Sequence, residues 1–151
     1  YEIGRIQFAQ NRLADARTCF EQVLRKDPSF GRALVSLGLI AEKEGRMEEA
    51  LDHMAKALDV SENDPEVFYA AGEFMYRRDN MEKALKCYLR TAELDPFFPD
   101  IHNDIGIVMT KKGRIDDAIR HFKLALRFKP RDKMAAGNLK KAEAEKKQAA
   151  K

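Results

Sequence analysis

The sequence predicts an all-α fold, an α-solenoid built from one helix-turn-helix unit that recurs every 34 residues. Three sets of residues that recur at intervals of 34, here called ladders, support the prediction. They are formed by glycine, by alanine, and by a large apolar residue four positions after each alanine: Gly4/Gly38/Gly72/Gly106, Ala16/Ala50/Ala84/Ala118 and Phe20/Met54/Tyr88/Phe122. Self-similarity at a fixed period of this length is typical of repeat proteins, in which each unit buries its core against its neighbours.

The residue types on these ladders have a packing reason. Glycine and alanine allow two helix backbones to approach closely, whereas a larger side chain would push them apart. The large apolar residue lies on the same helix face as the alanine, one turn later. We expect it to fill the gap between repeats.

The successive elements follow from turn and proline signals. We predict no strands, and helices at 1–10, 13–26, 31–43, 47–60, 65–77, 81–93, 99–111, 115–128 and 133–150. Residues that tolerate turn or left-handed geometry separate the two helices of each unit, namely Asn11, Gly45, Asp79, Asn80 and Gly113. Proline, which starts a helix well and continues one badly, marks the joins at Pro28, Pro65, Pro96 and Pro130. The pattern of 133–150 predicts a capping helix with a polar outer face, and Asp132 is at its N-cap position.

This order of apolar-Gly, a break, Ala-x-x-x-aromatic and a closing proline resembles the tetratricopeptide repeat family. The resemblance covers 1–151 as a single domain, with a truncated repeat at 1–30, repeats at 31–64, 65–98 and 99–132, and a capping helix at 133–150. It implies pairs of antiparallel helices stacked into a right-handed superhelix, so the expected fold is a right-handed α-solenoid with a C-terminal capping helix. Because Tyr1 falls inside the first helix of a repeat, we expect a fragment of a longer protein.

The resemblance also implies a function, because in this family the first helix of each repeat lines a concave groove that binds an extended or helical peptide. The positions left over after packing are the candidate partner-binding residues: Arg5, Phe8, Arg32, Val35, Leu39, Glu42, Glu66, Tyr69, Glu73, Tyr76, Arg77, Asp100, Asn103, Ile107 and Lys111. Acidic and tyrosine side chains in the middle of this set suit a partner segment with Lys or Arg and an apolar anchor. We therefore predict a protein-interaction scaffold with a protein or peptide partner.

One well-known subgroup of the family binds the C-terminal carboxylate of chaperone tails through a clamp of Lys, Asn and Arg. The positions that line up with the clamp here are Tyr1, Arg5, Ser36, Glu66 and Ala70. A carboxylate would meet more acid than base in this groove, so the sequence argues against chaperone-tail binding.

Charge is unevenly distributed about a net charge of +3. Residues 1–110 carry 14 basic and 20 acidic side chains, whereas residues 111–151 carry 14 basic and 5 acidic ones. The basic end either docks on an acidic protein, a nucleic acid or an anionic membrane, or is a solvated cap rich in lysine. No aromatic residue lies among the lysines of 133–151, and the groove is acidic; both facts argue against nucleic acid.

Two further alternatives concern assembly. The N-terminal repeat has no capping helix over Ile3, Ile6 and Phe8, so another copy of the chain could cover that face and build an oligomer. The segment could also space or regulate a catalytic domain encoded elsewhere in a longer protein.

Catalytic motifs are missing from the sequence, which has no phosphate-binding glycine loop, no nucleophile elbow and no helical two-histidine metal motif. We predict no enzymatic activity and no cofactor. Two cysteines and two histidines also recur at intervals of 34, namely Cys19, His53, Cys87 and His121. Packed helix axes are about 8–10 Å apart, so side chains from four successive repeats cannot reach one zinc ion. No metal site is therefore predicted. Two free thiols indicate a reducing, cytoplasmic location, and no apolar run is long enough for a membrane span.

Overall fold

A computed structural model describes residues 1–149, which form nine α-helices and no strand. In chain order these are α1 Glu2–Ala9, α2 Leu13–Lys26, α3 Gly31–Lys43, α4 Met47–Val60, α5 Pro65–Arg77, α6 Met81–Leu94, α7 Ile101–Lys111, α8 Ile115–Phe128 and α9 Lys133–Ala149. Four helix-turn-helix units followed by α9 confirm the predicted all-α repeat fold. Within this range no helix is both long enough and apolar enough to cross a bilayer.

The helix bounds agree with the prediction to within one residue, except at the start of α7. A helix was predicted from residue 99, but α7 begins at Ile101. Asp100 has a left-handed backbone with φ of 60°, which a right-handed helix cannot contain. The join at 95–100 is therefore six residues long, whereas the joins at 27–30, 61–64 and 129–132 have four. The last residue of the predicted capping helix, 150, lies outside the described residues.

The turns inside the four repeats share one backbone conformation. The residue with positive φ recurs every 34 positions. Its φ value is 59° at Asn11, 75° at Gly45, 58° at Asp79 and 71° at Gly113. Asparagine, aspartate and glycine tolerate this left-handed region better than other residues do. The predicted turn positions are confirmed, and the helix pair reverses direction at each of them.

The chain divides into two compact units, and the first is Tyr1–Ala71. Phe20 of α2 is fully buried and packs with Leu37 and Ile40 of α3, in the next repeat. The same ring lies against Gly4 of α1, where an added Cβ would come within 2.8 Å of it. The large apolar residue therefore packs within its own repeat and also against the next repeat. Only the contact with the next repeat was predicted.

The second unit begins at Gly72 and repeats this packing. A Cβ added to Gly72 would lie 2.6 Å from the ring of Tyr88, and one added to Gly106 would lie 2.5 Å from the ring of Phe122. No larger residue fits between either helix pair without displacing a buried ring.

Helix α9 packs on α8 and also contacts α7, and it buries Ala135 and Ala142. Its first turn is capped by Asp132, whose Oδ1 atom accepts hydrogen bonds from the backbone N–H groups of Met134 at 2.8 Å and Ala135 at 3.1 Å. The predicted N-cap is thus confirmed, and it satisfies two of the N–H groups that the start of a helix leaves unpaired.

Candidate functional site

An open groove of about 350 Å³ lies on the first unit, on the surfaces of α1 and α3 and the first turns of α5. Its lining combines an apolar floor with a polar rim: Phe8, Ala9, Phe20, Val35, Leu39, Val67 and Ala70 with Tyr1, Arg5, Arg32, Ser36 and Glu66. The groove therefore brings together six of the predicted residues: Arg5, Phe8, Arg32, Val35, Leu39 and Glu66. Val35 is only 7% exposed, so it forms floor rather than rim.

The charge of Glu66 is already paired within the protein. Arg32 donates from Nε and Nη2 to the carboxylate of Asp64, at 2.7 and 3.1 Å, and its Nη1 lies 2.7 Å from Glu66 Oε2. One guanidinium thus holds two carboxylates at the start of α5, in the fork geometry that favours arginine. A basic partner residue would have to compete with Arg32 for Glu66, which sequence reasoning did not foresee.

Tyr1 forms one end of this groove through a packed ring and a hydroxyl. Its ring meets Phe20 at 5.7 Å and Phe30 at 5.1 Å between centroids. Burial raises the pKa of Tyr1, and its hydroxyl hydrogen-bonds to Ser36. Since the Ser36 hydroxyl donates to the backbone carbonyl of Arg32, the tyrosine presents a fixed, neutral phenol at the rim.

Arg5 is the exposed cation of the groove. Its Nη1 atom lies 3.2 Å from a carboxylate oxygen of Glu2, and both side chains are more than half exposed. Such a pair contributes little to stability and exchanges readily with a ligand carboxylate. Two other predicted residues of this unit, Glu42 and Tyr69, are half-buried and already interact with neighbouring groups.

The second unit holds an acidic cluster around Tyr88 of α6, a residue that the sequence indicated only for packing. Tyr88 is 3% exposed. Burial raises its pKa far above the usual range, and the carboxylates of Asp104 and the predicted Glu73 raise it further. A hydroxyl at a ladder position that carries phenylalanine or methionine in the other repeats is the signal that could have identified it.

The predicted Tyr76 already has a cation on its ring. The ammonium of Lys111, itself a predicted residue, lies 4.3 Å from the ring centroid. Arg77 is exposed and interacts with neighbouring groups, and Ile107 is partly buried on α7. A basic partner side chain would therefore replace Lys111 on Tyr76 rather than find a vacant ring.

Two predicted residues at the start of α7 already interact with side chains from later parts of the chain. Asn103 is 5% exposed, and its side-chain oxygen accepts a 2.9 Å hydrogen bond from the amide of Asn138 on α9. Asp100 pairs with Lys129 at 2.7 Å, in a shallow depression after α8. Neither contact could be read from the sequence, because both link residues about 30 positions apart through side-chain geometry.

A histidine pair lies between α7 and α8. The Nδ1 atoms of His102 and His121 are 3.3 Å apart, so the N–H of one neutral ring donates to the other. Burial lowers the pKa of both rings, and for His121 burial together with the nearby His102 lowers it to about 4. Among residues 1–149, no group of three or more His, Cys, Asp or Glu side chains is arranged to hold a metal ion.

Residues 1–67 and 69–133 match a protein-family model described as the tetratricopeptide repeat. Superkiller protein 3 of Schizosaccharomyces pombe is 29% identical over 141 residues, which cover 89% of this chain and 10% of that protein. The chain thus spans about a tenth of the length of that relative.

Solved structures with the same fold include MamA and YrrB. The MamA structure matches with a TM-score of 0.81 at 22% identity, over 96% of this chain and 79% of that one. YrrB, described as a TPR protein with an unusual peptide-binding site, matches with a TM-score of 0.79 at 22% identity, over 97% of this chain and 75% of that one. At this identity the likeness shows the fold alone.

Proposed function

The chain belongs to the tetratricopeptide repeat family, and from that premise we propose that it is a non-catalytic scaffold that binds a partner segment in its first-unit groove. Proteins with these repeats generally mediate protein–protein interactions. The observation that carries the proposal is the open groove on α1, α3 and α5, with its apolar floor and hydrogen-bonding rim. That combination is typical of sites that take one apolar side chain and fix its direction with a few polar groups.

The lining residues support one type of ligand. Phe8, Leu39 and Ala70 offer an apolar floor for an aliphatic or aromatic anchor residue. The oxygen of the Tyr1 phenol can accept a hydrogen bond from a ligand backbone N–H, and the exposed Arg5 guanidinium can donate one to a ligand backbone carbonyl. In the second unit, taken by itself, the carboxylates of Glu73 and Asp104 favour a Lys or Arg side chain in a separate peptide. A neighbour in structure, YrrB, is itself described as having a peptide-binding site, which supports this type of function.

The test is selection of peptides from a random library displayed on phage, followed by affinity measurements with the selected peptide. We expect the groove to select peptides that share one aliphatic or aromatic residue, and the second unit separately to select peptides with a Lys or Arg. Leu39→Glu should weaken binding at least about tenfold, because it buries an unpaired charge at the groove floor. Leu51→Glu is the matched control, since Leu51 is 41% exposed on α4 and does not line the groove.

Failure of the proposal would be clear from the same measurements. If no consensus emerges, or if Leu39→Glu and Leu51→Glu bind the selected peptide equally well, the groove is not the binding site. Circular dichroism of both variants shows whether the helical fold is retained, so loss of binding is not mistaken for unfolding.

A second candidate function, self-association, is favoured by the exposure of α1. Ile3 and Ile6 are 67% and 57% exposed, whereas their equivalents one repeat later, Leu37 and Ile40, are 3% and 0% exposed. Two apolar side chains at positions that pack against a helix elsewhere in the fold form a surface suited to a second copy. Light scattering tests this: wild type should dimerise and Ile3→Glu should be monomeric, and a monomeric wild type contradicts it.

A further inference from the structure

A depression of about 440 Å³ lies between two successive joins of the first unit, 27–30 and 61–64. Its lining and that of the first-unit groove share only the side chain of Arg32. Most of the lining residues are polar or charged: Asp27, Ser29, Phe30, Gly31, Arg32, Asp59, Val60, Ser61, Glu62, Asn63 and Asp64. The depression is therefore a separate feature of the surface, and the proposed function does not account for it.

The Ser61 hydroxyl in this depression has no hydrogen-bond partner within residues 1–149. Ser61 is 8% exposed. Its Oγ atom lies over Gly31, where an added Cβ would come within 1.8 Å of it. Glycine at this position thus leaves the space that the hydroxyl occupies. Because a buried hydroxyl without a partner costs free energy, a ligand that pairs with Ser61 would recover that cost.

The pair of Ser61 and Gly31 departs from the pattern of the other repeats. At the position of Ser61 the other joins have Asp27, Asp95 and Lys129, and at the position of Gly31 the other repeats have Pro65, Pro99 and Lys133. Both aspartates stabilise their turn, because Oδ1 accepts a hydrogen bond from the backbone N–H two residues later. Ser61 makes no such bond, so the repeat fold does not explain a serine at this position.

Carboxylates outnumber cations by four to one in the lining of the depression. The cation is Arg32, and it is already engaged by Asp64 and Glu66 at the start of α5. Asp27 and Asp59 make no ion pair in the part of the chain that the structure describes. The depression is therefore electronegative.

Neighbouring positive charges do not cancel this potential. Lys56 pairs with Asp52 at 2.6 Å, and Lys26, which precedes Asp27, does not line the depression. The start of α3 contributes a partial charge of about +0.5 from its helix dipole, which is smaller than the charge of two carboxylates. The depression thus favours a cation over an anion.

We propose that this depression is a binding site for one lysine side chain of a partner protein, separate from the first-unit groove. An ammonium group has three donors, and these pair with the carboxylates of Asp27 and Asp59 and with Ser61 Oγ. The aliphatic stem of the lysine packs on Phe30 and on Val60, which is 40% exposed. Arginine fits less well, because its planar fork matches the two oxygens of a single carboxylate.

NMR titration of the ¹⁵N-labelled whole chain tests the proposal, since it detects the roughly millimolar affinity expected for one side chain. The probe is the peptide acetyl-Gly-Ser-Lys-Ser-Gly-amide. Control peptides carry arginine, acetyl-lysine or glutamate in place of the lysine. We expect the probe to shift the backbone amide signals of Gly31 and Ser61, and to bind at least about threefold more tightly than each control peptide.

Two variants of the lining should weaken binding of the probe at least about threefold. The first is the double change Asp27→Asn with Asp59→Asn, which removes both charges and keeps an oxygen that can accept from the Ser29 backbone N–H. The second is Ser61→Ala, which removes only the hydroxyl.

A matched control removes the same net charge elsewhere in the first unit. Asp15→Asn with Glu48→Gln changes two exposed carboxylates on α2 and α4 that do not line the depression. This double variant should bind the probe as wild type does. The spectrum of each variant also shows whether it is folded, so weaker binding is not mistaken for unfolding.

The proposal is overturned if the lysine probe leaves the signals of Gly31 and Ser61 unchanged, or if any control peptide binds as tightly. It is also overturned if Ser61→Ala binds the probe as wild type does, or if the two double variants bind it equally well, since general charge would then explain the binding. Shifts confined to Phe8 and Leu39 would place the lysine in the first-unit groove instead.

Discussion

Gly72 lies so close to a buried ring that replacing it by alanine should lower the free energy of unfolding, whereas the same change at Gly137 should raise it. In Gly72→Ala the new methyl group would lie 2.6 Å from two ring carbons of Tyr88 and 3.3 Å from Cys87 Cβ. Carbon atoms pack at about 3.5–4.0 Å, so the ring has to move by about 1 Å. Tyr88 is 3% exposed, and that movement has no free volume to enter.

The magnitude follows from two opposing contributions. Overpacking a buried contact costs about 1–3 kcal/mol, and alanine gains up to about 1 kcal/mol over glycine inside a helix. We therefore expect Gly72→Ala to lower the free energy of unfolding by about 1–2 kcal/mol. Gly137→Ala in α9 has the same helix gain with nothing within 4 Å of the new methyl group, so it should stabilise by about 0.5–1 kcal/mol.

Urea unfolding followed by circular dichroism at 222 nm measures both variants against wild type. The midpoint should fall for Gly72→Ala and rise for Gly137→Ala. If Gly72→Ala is as stable as wild type, or gains as much as Gly137→Ala, the helix contact at this ladder is not limited by the tyrosine ring, and the packing reason for the glycine ladder is wrong.

Three further outcomes are expected. Because the folded pKa of His121 is lowered to about 4 from the usual value of about 6.5, the unfolded chain binds the proton first as pH falls. Stability should therefore drop by about 1–2 kcal/mol between pH 6.5 and 4, allowing for the partial exposure of the ring, and His121→Gln should flatten that drop in urea titrations. Lys111→Met should raise affinity for the selected Lys- or Arg-bearing peptide about threefold, because it frees the ring of Tyr76. Asp132→Ala should cost about 1 kcal/mol in the same unfolding assay, because it removes the cap of α9.

Each of these has a control of similar chemistry. His53→Gln, in the first unit, should retain the pH dependence, and an equally steep dependence in His121→Gln would contradict the assignment. Lys112→Met removes a neighbouring lysine that pairs with Glu82, and it should leave peptide affinity unchanged. Asp52→Ala removes an exposed ion pair with Lys56 and should cost less than Asp132→Ala.

The sequence by itself determined the repeat, its helices and its turns. Gly4 and Phe20 meet for the same reason as Gly106 and Phe122, so a local rule applied every 34 residues predicts each helix pair. The left-handed turns are equally local, since backbone sterics at a residue such as Asn11 do not depend on distant parts of the chain. Helix periodicity selected residues that line the first-unit groove, such as Arg5 and Leu39, but it also selected Val35 and Asn103, which are buried.

Only the tertiary structure decided which of those side chains already interact with other residues of the protein. Arg32 holds Asp64 and Glu66, Lys111 covers Tyr76, and α9 buries Asn103. The late start of α7 and the contact between the rings of Phe97 and Phe128 likewise depend on one irregular join. Periodicity specifies the face on which a side chain lies, but long polar and aromatic side chains reach across helices, and their partners are set by the three-dimensional distances between atoms.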